Sequence, residues 1–159
     1  MTVTWVKGWV GATDGESSMA HWKAQTLSGN RHFDAGEHAR ALDYYQQALW
    51  LARQQFPCWP DADEAVAALV VAHHNLADLL VAMTLPDRAA DMLCHVHDCL
   101  LATSQSPASS EVLRAAAQRH SRSTRTELLA FVRRHGHLDG IQHCLAQCHS
   151  QTGPAHRLH

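Results

Sequence analysis

A few residues that start and stop helices cut the chain into helix-length pieces, and this punctuation constrains the fold more than anything else in the sequence. An apolar-periodic run that follows Ser17 and Ser18 ends at Gly36, and a second, Glu37 to Phe56, ends at Pro57 and Pro60. Asp61 with Glu64 three residues on has the spacing of a capping box and opens a long run to about Met83. Pro86 suits a first helical position and begins a run to about Ala102. After the link TSQSPASS a further helix is predicted from about Ser109 to His135, closed by Gly136, and a last one from about Leu138 to Ser150. The expected organisation is an N-terminal extension over 1–16, a helical domain over 17–150 and a tail over 151–159.

The six predicted helices form three hairpins in common phase. In the second, Leu76, Ala77 and Leu80 lead, nine residues later, to Ala89, then Leu93 and Val96; in the third, Leu128, Leu129 and Val132 lead by the same step to Ile141, Leu145 and Cys148. Gly36, Thr84 and Gly136 fall at the three turns. No hairpin of this kind buries its apolar faces alone, so stacking must supply the core. The segment SGNRHFDAGEHARALDYYQQALWLA, residues 28–52, resembles the tetratricopeptide repeat, with Gly29 at the small eighth position, Gly36 at the turn, and Ala41, Tyr45 and Ala48 on the second helix. The resemblance spans roughly residues 18–150. It departs from the family at Ser28, His32 and Arg53, and its later first helices are extended by about four and five turns. It implies an all-α fold of three antiparallel helix hairpins stacked as a short right-handed superhelix. Bacterial secretion chaperones are a similar subclass in size and repeat number, with more regular repeats.

Composition narrows the class further. With 46% hydrophobic and 18% charged residues the chain is expected to be a soluble helical protein. No uninterrupted apolar run reaches the roughly 18 residues of a membrane span, and MTVTWVKGWVGATDGESS lacks the pattern of a secretory signal. Five cysteines, an odd number, favour thiols over a disulfide framework, and the expected location is the cytoplasm. Net charge is −2, but acids dominate residues 57–104 and arginines residues 105–159, as expected of solvated helix faces or of a dipolar molecule that steers a partner or forms a homodimer.

Residues 91–100, DMLCHVHDCL, concentrate metal-ligand chemistry on one helix. At about 100° per residue, Ala89, Leu93, Val96 and Leu100 make its core stripe, Cys94, His97 and Asp98 lie on an adjoining face, and His95 and Cys99 on another. A zinc or copper site would need further ligands, and Cys144 and Cys148 are the obvious donors, giving the candidate set Cys94, His95, His97, Cys99, Cys144 and Cys148. Cys144 and Cys148 share a side with Ile141 and Leu145, so the favoured expectation is that they are packing thiols and that the protein carries no cofactor.

The sequence contains no glycine-rich phosphate loop, HExxH, GxSxG or CxxC, and a non-catalytic protein is expected. The tetratricopeptide resemblance implies that first helices line a concave groove for a peptide or helix. Carried over by register, it places Lys23, Thr26, Asn30 and Phe33 there from the first hairpin, His74, Asn75, Asp78 and Val81 from the second, and Arg133 from the third. Asn30 and Asn75 match the family members that clamp a terminal carboxylate, but Thr26, Ser123 and Glu127 do not, so a general protein or peptide groove is expected. Trp5 and Trp9 with Val3, Val6 and Val10 form an apolar segment outside the repeats, expected to cap the first hairpin. Arg114, Arg119, Arg122 and Arg125 suggest nucleic acid, but the acidic middle and the lack of an aromatic platform argue against it. No membrane partner is expected.

Overall fold

Six helices and no strand make up the described residues, in the order α1 (Glu16–Asp34), α2 (His38–Gln55), α3 (Ala62–Ala82), α4 (Pro86–Gln105), α5 (Glu111–His135) and α6 (Asp139–Ser150). This computed structural model describes residues 16–136 and 138–150, with side chains from 18 to 136 and 138 to 146. The expected extension and tail, including Trp5 and Trp9, lie outside the described residues.

The predicted punctuation acts through identifiable atoms. Asp61 accepts a hydrogen bond from the Glu64 amide at 2.9 Å, and Ser110, one residue past the predicted start, caps α5 by accepting from the Leu113 amide at 3.2 Å. Pro86 occupies the first turn of α4. The first two reversals share one device. The Glu37 amide donates back to the His32 carbonyl at 2.9 Å and the Leu85 amide to the Leu80 carbonyl at 2.8 Å, each across a residue in the left-handed region, Gly36 at φ 73° and Thr84 at φ 62°. Gly136, at φ 84°, ends α5 with its amide on the Val132 carbonyl.

Each helix then packs through the stripe its sequence provides. α1 packs on α2, α2 on α3, α3 on α4 and α5, and α4 on α5. The expected α4 stripe of Ala89, Leu93, Val96 and Leu100 is buried along its whole length. α3 carries enough hydropathy over enough residues to cross a membrane by length and composition, yet it lies in the middle of the helical stack with Val66, Ala68, Leu79 and other side chains fully enclosed. α6 rests chiefly on α4 and only lightly on α5, its sequence neighbour, because Ile141 and Cys144 insert among Ala77, Leu80, Ala89, Leu93, Leu128 and Phe131.

The tightest approach is between α1 and α2. A Cβ added at Gly29 would sit 2.4 Å from two atoms of the Tyr45 ring, so the glycine is what lets the ring lie flat against α1. Tyr45 is buried, and its hydroxyl donates to Asn30 Oδ1 at 2.7 Å, which fixes the ring at both ends.

Two substitutions separate these effects. Gly29→Ala should lower stability by about 1–3 kcal/mol, because overpacking against a pinned ring outweighs the roughly 1 kcal/mol gained in helix propensity. Thr84→Gly should raise it by about 0.5–1 kcal/mol, since the left-handed penalty of a side-chain-bearing residue exceeds the added freedom of the unfolded glycine. Denaturant titrations of both variants check the opposite signs.

Candidate functional site

A cleft of about 350 Å³ opens where α3 and α5 face each other, with Phe33 of α1 and Leu93 of α4 also in its lining. Val71, His74, Asn75, Asp78, Val81 and Ala82 line it from α3, together with the core residue Ala77, and Glu127, Phe131, Arg134 and His135 from α5. Helical spacing explains the roster. Residues 71, 74, 75, 78, 81 and 82 recur at steps of three and four, so they share the α3 face that the α4-facing stripe leaves open.

Apolar and charged groups alternate along this cleft. Desolvation by the walls holds the Asp78 carboxyl above its usual range, the Glu127 charge adding to the effect and Arg134 opposing it. Desolvation likewise holds the His74 imidazole below its usual range, against the pull of Glu127, so His74 is neutral at pH 7. Its Nε2 is enclosed and has no hydrogen-bond partner. Among the described residues Asn75 makes no side-chain hydrogen bond. These are the polar groups of the cleft that remain uncommitted.

Of the groove residues predicted from the sequence, Phe33, His74, Asn75, Asp78 and Val81 come together in this cleft. Lys23, Thr26, Asn30 and Arg133 do not line it. Asn30 is committed to the Tyr45 hydroxyl, and of the two exposed neighbours Arg133 and Arg134 it is Arg134 that lines the cleft. Sequence reasoning missed Phe131, Arg134 and His135; the period of α5 carried the signal, displaced by one residue in register. The Phe131 and His135 rings, one turn apart, meet in a tilted arrangement with centroids 4.3 Å apart.

The candidate metal ligands disperse. His95 is exposed and stacks on His73 of α3 at 5.6 Å. His97 is buried and its Nδ1–H donates to Thr124 Oγ1 of α5 at 2.7 Å, since the threonine hydroxyl itself donates to the Ser121 carbonyl. Cys99 packs against the core shared by α2 and α3, where burial raises its thiol pKa. Cys94 and Cys144 approach each other, and Cys144 donates to Asp98 Oδ1 at 3.4 Å. The side chain of Cys148 lies outside the described residues. Among the described residues no group of three or more His, Cys, Asp or Glu is placed to hold a metal ion. Adjacent ligands on α4 point to α3, α5 and α6 in turn, which is why their density in sequence does not become density in space.

The uneven charge is spent partly within the fold. Arg119 and His120 of α5 both reach Asp63 of α3, at 3.0 and 3.1 Å. Desolvation would raise the Asp63 carboxyl, but these two partners hold it below its usual range.

A family model described as "Protein of unknown function (DUF2753)" matches residues 20–157. The chain belongs to the DUF2753 family. No curated protein and no solved structure matches it. The DUF2753 match takes in every residue of the cleft and of the α4–α6 contact, and it leaves out the segment containing Trp5 and Trp9.

The buried imidazoles give this DUF2753 chain a pH-dependent stability of known sign. His73 donates Nδ1–H to the Leu69 carbonyl at 2.8 Å and accepts from Arg53 at 3.4 Å; burial, opposed by the Leu69 bond and reinforced by Arg53, pushes its pKa down to about 4. Burial also lowers His74 and His97. Between about pH 4 and the unfolded value of 6.5, the unfolded chain therefore binds more protons than the folded one, and stability falls as pH falls. Thermal melts should show this loss below neutral pH. His73→Leu should flatten the slope by up to about 1.4 kcal/mol per pH unit.

Proposed function

We propose that the protein is a non-catalytic protein-interaction module, adaptor-like or chaperone-like. In this reading its three hairpins stack as a short tetratricopeptide-like right-handed superhelix, and a partner's extended segment or helix lies in the α3–α5 cleft. The observation that carries the reading is the cleft itself: apolar Phe33, Val71, Val81 and Phe131 alternate with His74, Asn75, Asp78, Glu127 and Arg134 along a channel built from helix faces. Rigid apolar anchors with a few uncommitted polar groups are what recognition of a short polypeptide requires. Asn75 offers both a donor and an acceptor to a passing backbone. Asp78 and Glu127 favour a partner that brings a cation beside its apolar residues. The expected setting is the cytoplasm.

The site can be tested without knowing the partner. A photo-crosslinking residue placed at Asp78 should capture a polypeptide from native lysate, whereas the same residue at Trp50, exposed on α2, should not. Once the partner is identified, Asn75→Ala should weaken its binding roughly 3- to 10-fold, the loss of one or two interface hydrogen bonds. Capture from Trp50 alone, or affinity unchanged by both Asn75→Ala and Asp78→Arg, would move the binding surface out of the cleft.

A further inference from the structure

Cys94 on α4 and Cys144 on α6 are brought together from opposite ends of the α4–α6 contact, fifty residues apart in sequence. Neither is in a disulfide. Each thiol contacts the residue one turn from the other, Cys94 meeting Gly140 and Cys144 meeting Asp98, which makes the two sulfurs neighbours across the helix contact. Cys144 is buried and its S–H also points to Asp98 Oδ1 at 3.4 Å, while the half-buried Cys94 faces the Gly140 carbonyl at 3.8 Å. Two neighbouring thiols, one half-buried and one enclosed beside a carboxylate, are more than the packing of α6 needs. Ile141 and Cys144 both enter the second core, but a carboxylate turned toward the buried thiol is a polar contact that packing alone does not call for.

A cleft adjoins this contact on the Gly140 side. It has a volume of about 330 Å³ and is lined by Asp87, Ala90, Asp91, Leu138, Asp139 and Gly140, whose carbonyl touches Cys94. Three carboxylates at this mouth disfavour anions and admit small neutral molecules.

We propose that Cys94 and Cys144 form a peroxide-reactive dithiol that closes reversibly into a disulfide, stapling α6 to α4. The Cys94 sulfur attacks the distal oxygen of a hydroperoxide as its thiol proton is given up to the departing oxygen: the O–O bond breaks, an S–O bond forms, the sulfur is oxidised to the sulfenic acid, and the alkoxide leaves with that proton as an alcohol, or as water from hydrogen peroxide. The Cys144 sulfur then attacks Cys94, an S–S bond forms, the S–O bond breaks, and hydroxide leaves as water with the proton that Cys144 passes to Asp98. In sum, two thiols and one hydroperoxide give one disulfide, one alcohol and one water. Any small dithiol reductant reverses the step.

This dithiol is independent of the interaction cleft and is tested separately. The full chain is treated with a small excess of hydrogen peroxide, its remaining thiols are alkylated, and its peptides are mapped by mass spectrometry. The expected product is a Cys94–Cys144 linked peptide, formed before the exposed Cys58 is modified and lost on reduction, with Tm raised by roughly 5–10 °C in the oxidised form. Cys144→Ser should stop the reaction at a Cys94 sulfenic acid trapped by dimedone, and Asp98→Asn should let that species accumulate without slowing its formation. A fatty-acid hydroperoxide, being anionic, should react more slowly than hydrogen peroxide. Linkage of Cys94 to Cys148 or Cys99, or Cys58 oxidising first, would overturn the proposal, and this mapping of the unaltered chain holds even if a variant fails to fold.

Discussion

Helix α3 is the wall that every other part of the structure leans on. Its Ala68, Leu69, Ala72, Leu76 and Leu79 close the core with α1 and α2; Ala77 and Leu80 close a second core with α4, α5 and α6; Val66 closes a third with Leu100, Ala116 and Ala117. A helix that serves three cores must be apolar nearly all round, which accounts for its membrane-like hydropathy without a membrane. A strip through His74, Asn75 and Asp78 is not claimed by a core. That strip lines the cleft, so the position of the candidate site follows from how the core is divided.

Much of this was readable in the chain because it depends on local rules. The stops at Gly36, Pro57 and Gly136, the cap at Asp61 and the stripe from Ala89 to Leu100 each depend on residues within a few turns of one another, and each stands where periodicity and turn chemistry put it. Thr84, a residue that resists the left-handed region, was placed at a turn by the recurrence of the pattern alone. The site was half legible. The α3 residues came with the stripe, but the α5 wall required the register of a helix with surplus turns, and one residue of rotation, about 100°, separates Arg133 from Arg134.

What stayed hidden depends on which helices touch. The stretch DMLCHVHDCL reads as one cluster, yet its side chains are parcelled out to three neighbours, His95 to α3, His97 to α5 and Cys94 to α6. Conversely, the contact of Cys94 with Cys144 arises because α6 settles on α4 and not on α5, a choice made by Ile141 finding room in the second core. No spacing rule within either helix encodes that docking.

Asn30 shows how a polar residue that the helical register assigns to a groove can belong to the scaffold instead. By accepting the Tyr45 hydroxyl it becomes an internal latch between α1 and α2, beside the glycine that lets those helices meet. Sequence drift at Asn30 or Gly29 is therefore felt as altered foldedness, whereas drift at Asn75 or Asp78 touches a strip of α3 that no core claims. On α3 itself, constrained and unconstrained positions thus alternate within a single turn.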